Sequence, residues 1–135
     1  MRTPIILVLG LDILLLVAGC GLRSADERDL RLRLKQYEQY WASQRYDEVW
    51  KLMSQRLRDG NNNDESSFAK MAQGSGATLV RLDIRQIQIA GDGATVRAVA
   101  TFHSASDART RQEVQEQHWI KAGGKWLFDD YRSIQ

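Results

Sequence analysis

Apolar residues recur at helical spacing through the first half of this chain and at every second position beyond Gly76, and no other feature limits its fold so tightly. Leu30, Leu34, Tyr37 and Trp41 form one helical stripe, preceded by Ser24-Ala25-Asp26-Glu27, a sequence that fits a capping box. Tyr46, Val49, Trp50, Met53 and Leu57 form a second stripe, over an expected helix 46–58 with Gly60 as its stop. A polar run, "DGNNNDESS" at 59–67, separates it from a short helix capped by Ser67, carrying Phe68 and Met71 and closed by Gly74 and Gly76. From there Val80, Leu82 and Ile84 alternate with Arg81, Asp83 and Arg85. Ile87 and Ile89 then occupy the other phase, which predicts a bulge near Arg85-Gln86. "GDG" at 91–93 and "AGGK" at 122–125 are hairpin turns, and Ser104–Arg109 is a longer polar one. These turns bound strands over 95–103, 112–121 and 126–134. Helices first and antiparallel strands afterwards predict an α+β fold with the helices on one face of a four-stranded sheet.

The 135 residues suffice for one domain, and a net charge of +2, from 19 basic and 17 acidic residues, implies no polyanionic partner. Nucleic acid is therefore not an expected partner. The single cysteine excludes an internal disulfide, and no zinc-ligand spacing is present.

That cysteine, Cys20, ends an N-terminal segment with its own logic. Arg2 supplies a positive start, 5–17 is almost wholly apolar, and Ala18-Gly19 are small, as in a secretory signal. As a helix, 5–19 reaches only roughly 22 Å against a hydrocarbon core of about 30 Å. Asp12 interrupts it at a cost on the order of 2.5–3.5 kcal/mol. A permanent span is thereby disfavoured.

"LVAGC" at 16–20 resembles the lipobox of bacterial lipoproteins. The resemblance implies cleavage between Gly19 and Cys20, a diacylglycerol thioether on Cys20 and acylation of the new amino terminus. The signal would be 1–19, a lipidated tether 20–23 and the folded domain 24–135. Two or more acyl chains hold a bilayer stably where one does not. Gly21, where inner-membrane members often carry Asp, favours the periplasmic face of the outer membrane if the organism is Gram-negative.

The order of elements, with "YDEVWKLMS" in the second helix and "HWIKAGGKWLFDDYRSI" at the end, is similar to the NTF2-like superfamily, SnoaL-like proteins among it. The resemblance implies two to three N-terminal helices across a strongly curved sheet, forming a cone with an interior pocket. Its members include isomerases and related cyclases as well as noncatalytic binding and assembly domains, so function rests on the site.

An isomerase needs a tuned carboxylate and hydroxyl donors. Asp83, Asp129 and Asp130 are the available acids, and Tyr37, Tyr40 and Tyr131 the donors. Strand alternation puts Asp130 with Trp126 and Phe128, and Asp129 with Leu127 and Tyr131. His103 and His118 would have to meet across strands, with Glu116, to bind a metal; hydrogen-bonded sheet histidines are the commoner outcome. Trp50 and Trp126 are expected in the core. Tyr37, Trp41, His118, Trp119 and Asp130 are the candidates for a pocket or interface. No metal site, cofactor or catalytic residue is assigned. The expected function is a lipid-anchored envelope protein whose domain binds a small apolar ligand or an envelope protein, with oligomers allowed; the alternative is a small isomerase- or dehydratase-type enzyme using an Asp/Tyr pair.

Overall fold

A computed structural model describes the backbone over residues 9–134 and side chains over 25–134. The signal 1–19, the cleavage point at Gly19 and Cys20, and the tether 20–23 lie outside the residues whose side chains are described. Among the described residues no helix is long and apolar enough to cross a membrane.

Among the described residues four helices, α1 (Leu9–Ala42), α2 (Tyr46–Leu52), α3 (Gln55–Gly60) and α4 (Glu65–Gly74), precede four strands, β1 (Ala77–Ala90), β2 (Gly93–Ser104), β3 (Thr110–Ala122) and β4 (Lys125–Ser133). The strands form an antiparallel meander in the order β1-β2-β3-β4. Two hairpin turns fall where the glycines predict them. Gly123 and Gly124 both have positive φ, 58° and 77°, as a two-residue turn with matching twist requires.

Three local readings change. Helix α1 runs through Ser24 instead of starting there. Glu27 pairs forward with Arg31, one turn on at 3.1 Å, and Asp26 reaches Lys121 Nζ on β3 at 2.9 Å. The expected helix 46–58 is split in two because the sheet captures its middle. Met53 adopts an extended conformation and bridges Phe128, and the Ser54 amide donates to the Phe128 carbonyl at 2.8 Å. Ser54 Oγ then caps α3 by accepting from the Leu57 amide. The last helix is capped by Asp64, not Ser67; its carboxylate accepts from the Ser66 and Ser67 amides, and Ser67 Oγ donates to it.

Bulges bend the sheet. The pairing slips between Ile84 and Gln86, as the change of apolar phase predicts, and again between Leu79 and Arg81. The second slip turns Val80 outward, against the expected phase, and brings Leu79 into the core. A third slip lies between His118 and Trp119, where β4 accommodates Asp129 as an extra residue. Each extra residue adds local twist and curls the sheet around the helices.

The concave face carries Leu79, Leu82, Ala94, Val96, Ala98, Ala100, Trp119, Trp126 and Phe128, packed against Leu30, Leu34 and Tyr37 of α1. The alanines of β2 leave room for Tyr37 and for the indole of Trp119. A second cluster, Tyr46, Val49, Trp50, Met53, Phe68 and Ala72, joins the short helices to one another, with Tyr40, Trp41 and Leu57 touching both clusters. Trp50 and Trp126 are core residues, as expected. The edge strand β1 is covered by α1, where Glu38 accepts from the Leu82 amide at 2.6 Å.

Candidate functional site

The two core clusters do not close on each other. Between the C-terminal half of α1, the short helices and one half of the concave face lies a cavity of about 450 Å³. Its walls are mainly apolar, from Trp41, Met53, Phe68, Leu79, Phe102 and Phe128. Tyr37, Glu113, Gln115, Arg111, Asp130 and Tyr131 supply most of its polar groups, with Asn61 and Ser75 beside them. A concave, largely apolar site with a few placed polar groups is the usual form of a small-molecule pocket.

Helix α1 positions Tyr37 and Trp41 one turn apart, their rings 6.2 Å apart edge to face. Tyr37 also meets Trp119 at 5.7 Å and Phe128 at 5.0 Å. Burial pushes the Tyr37 hydroxyl well above the ordinary phenol range. The neighbouring Trp41 indole offsets part of this, although its buried Nε1 makes no hydrogen bond of acceptable geometry. Tyr37 therefore stays protonated at any physiological pH.

The β4 bulge sorts the two acids differently from simple alternation. Asp129 leaves the ladder and turns toward the α2–α3 junction, accepting from Ser54 Oγ at 2.7 Å and from Arg56 Nε at 3.2 Å. Burial alone would raise its pKa. The Ser54 hydroxyl and the Arg56 guanidinium outweigh that effect and hold the carboxyl below its usual range. Asp129 is thus an ionised structural clamp and a poor proton acceptor. Past the bulge, Tyr131 shares the face of Phe128, their rings stacked at 6.2 Å. Asp130 stands opposite His118 in the register and borders the cavity at its rim, 3.8 Å from Arg56. Asp83 pairs with Arg85 and takes no part in the cavity lining.

Of the residues singled out from the sequence, Tyr37, Trp41 and Asp130 therefore meet at this cavity. Trp119 lies beneath it as a core residue. His118 is on the opposite, convex face, 3.3 Å from Glu116 Oε1. There Glu116 also takes Arg132 at 2.9 Å and Arg97 at 3.9 Å. His103 stands opposite Thr110 and His118 opposite Thr95, eight rungs apart on the same strand pair, so they do not form a ligand pair.

The residues that sequence reasoning missed are Gln115 and Gln117. They share the phase of Trp119, yet polar residues in a strand default to the solvent side. Here both are buried and form a ladder: Trp119 Nε1 donates to Gln117 Oε1 at 3.0 Å, and Gln117 Nε2 donates to Gln115 Oε1 at 3.0 Å.

No family model and no curated protein matches the chain. Solved structures do. An NTF2-like protein with a cystatin-like fold from Novosphingobium aromaticivorans superposes with a TM-score of 0.61 at 12% identity, covering 87% of this chain and 86% of that one. An NTF2-like protein from Rhodospirillum rubrum, described as of unknown function in nutrient uptake, gives 0.54 at 16% identity over 79% and 99%. A SEC-C motif containing protein from Rhodopseudomonas palustris gives 0.59 at 18% identity over 71% of each chain. At these identities the likeness establishes architecture. The chain has the NTF2-like, cystatin-like fold, a curved antiparallel sheet with helices packed into its concave side.

Proposed function

We propose that this is a lipid-anchored envelope protein whose cone binds a small, mainly apolar molecule without transforming it. The observation that carries the binding reading is the open cavity of about 450 Å³ walled by aromatic and aliphatic side chains. Asp129, held by Ser54 and Arg56, stands outside the cavity lining, and of the acids that border it Asp130 lies 3.8 Å from the Arg56 guanidinium. The convex sheet face carries the Arg97–Glu116–Arg132 cluster, a charged surface that favours ligand binding in the cone over assembly through an apolar sheet patch.

The anchor reading rests on the sequence 16–20. Asp26, the first side chain clamped to the sheet, follows Cys20 by six residues, roughly 9 Å of helix. The domain would sit close to the lipid surface, on the periplasmic face of the outer membrane in a Gram-negative cell. Tyr37 is seventeen residues from Cys20, roughly 25 Å of helix, so the cavity stands at the end remote from the anchor. Its ligand would arrive from the aqueous side.

Two measurements test the parts separately. Cys20→Ser should move the protein from the membrane to the soluble fraction; unchanged sedimentation with membranes overturns the anchor. N-phenyl-1-naphthylamine titrated into the full chain in lipid nanodiscs should show a saturable fluorescence rise above empty discs. That rise should disappear in Ala77→Trp, which fills the cavity. A titration indistinguishable from empty discs overturns the binding reading.

A further inference from the structure

The buried ladder on β3 has a direction, and the direction determines what the cavity offers a ligand. An indole N–H can only donate, so Trp119 requires the oxygen of Gln117 to face it. The Gln117 amide nitrogen must then point the other way, and it donates to Gln115 Oε1. Gln117 is 0% exposed and Gln115 5%, so neither amide can reorient toward bulk water to satisfy itself another way. With its oxygen engaged, Gln115 presents its Nε2 donors at the end of the ladder, and Gln115 lines the cavity. The orientation of both amides follows from donor chemistry alone, one residue at a time from the core outward.

We propose that Gln115 is a fixed hydrogen-bond donor that makes the cavity selective for an apolar molecule carrying a neutral carbonyl oxygen. This rests on the cavity being a binding site. The apolar body of such a ligand meets Trp41, Phe68, Phe102 and Phe128, and its carbonyl meets Gln115. A neutral oxygen is favoured over a carboxylate because the cavity offers no excess of positive charge. Its one cation, Arg111, is stacked 5.5 Å over Phe102, while Glu113 and Asp130 border the same space. A buried donor placed for an acceptor discriminates strongly, since an oxygen-free isostere leaves it unpaired.

The test uses 2-acetylnaphthalene, 2-ethylnaphthalene and 2-naphthoate, three probes of one shape, in equilibrium dialysis against the full chain in nanodiscs with empty discs subtracted. The ratio of ethyl to acetyl dissociation constants should fall about tenfold from wild type to Gln115→Met, with ethyl binding retained. An unchanged ratio overturns the donor role while leaving the cavity reading intact. Preference for 2-naphthoate over the ketone overturns the neutral-carbonyl assignment. Absence of saturable binding by all three overturns the cavity reading together with this one. Because Gln115→Met strands the Gln117 amide and can unfold the domain, the infrared C=O stretch of carbonyl-¹³C acetylnaphthalene is read on wild type as well. A stretch lowered from its position in hexane, in wild type and equally in Tyr37→Phe, supports the donor; a stretch at the hexane position, or one that returns to it in Tyr37→Phe, overturns it.

Discussion

The two halves of the concave face are built from the same kinds of residue and end in opposite states. Toward the β1–β2 turn, Leu30, Leu34, Val96, Trp119 and Trp126 fill the space under α1, and the Asp26–Lys121 pair clamps the helix across the end. Toward the β2–β3 turn, Trp41, Phe68 and Phe102 border an open volume. Aromatic content does not distinguish the halves; the path of the helices does. A single long helix lies directly on the sheet at one end. At the other, the α2–α3 junction is tied to β4 at Met53-Ser54, and α4 packs on α2 instead of on the sheet. A small domain can thus combine a rigid packed end with a cavity.

Substitutions that load one half and spare the other can break this contrast. Trp126→Ala, in the packed half, should cost roughly 3–5 kcal/mol in urea unfolding, against about 1 kcal/mol or less for Phe102→Ala at the cavity, where the ring is only half-buried. Equal costs would mean that the open half is packed in solution. Ser54→Ala removes both the α3 cap and a partner of Asp129, and should cost about 1–2 kcal/mol while loosening the cavity wall. A loss below the error of the unfolding curves would show that the Ser54 cap and its bond to Asp129 do not hold the α2–α3 junction to β4.

Asp129 sharpens the comparison through pH. Its folded-state pKa lies below its unfolded value, so the stability it contributes is complete above the unfolded value and is lost as pH falls through the folded one. Asp129→Asn should cost about 1 kcal/mol near neutral pH, the Arg56 partner being largely exposed and screened. The variant should also lack this component of the acid-side decline in urea midpoints; a decline parallel to wild type below pH 4 would contradict the clamp. Met71→Gln, on α4 at the mouth of the cavity and 59% exposed, should change stability by less than about 0.5 kcal/mol. A larger loss would show that α4 packs more closely than its exposure indicates.

The sequence carried the fold class plainly. Its two apolar periods, the hairpin glycines and the phase slip at Arg85-Gln86 are local signals with local causes, and the structure reproduces them. The face of Val80 is reversed by an additional bulge, which no change of apolar phase marks in the sequence. The same reason separates Asp129 from Asp130. Tyr37 and Trp41 were legible as candidates for the cavity since one helical stripe presents both. His118 was not separable from Trp119 until the register put them on opposite faces.

The amino-acid order by itself determined which segments are helices and strands, where the hairpins turn, and which stripes seek burial, because each depends on spacing within a few residues. Tertiary structure alone decided that the helix 46–58 breaks at Ser54, that Gln115 and Gln117 lie inside, and that the cone stays open at one end. Those outcomes depend on partners far away in the chain, such as Asp129 for Ser54, 75 positions on, and the α1 aromatics for β3. A glutamine is polar wherever it stands in a strand; only the neighbouring indole determines which way its amide must face.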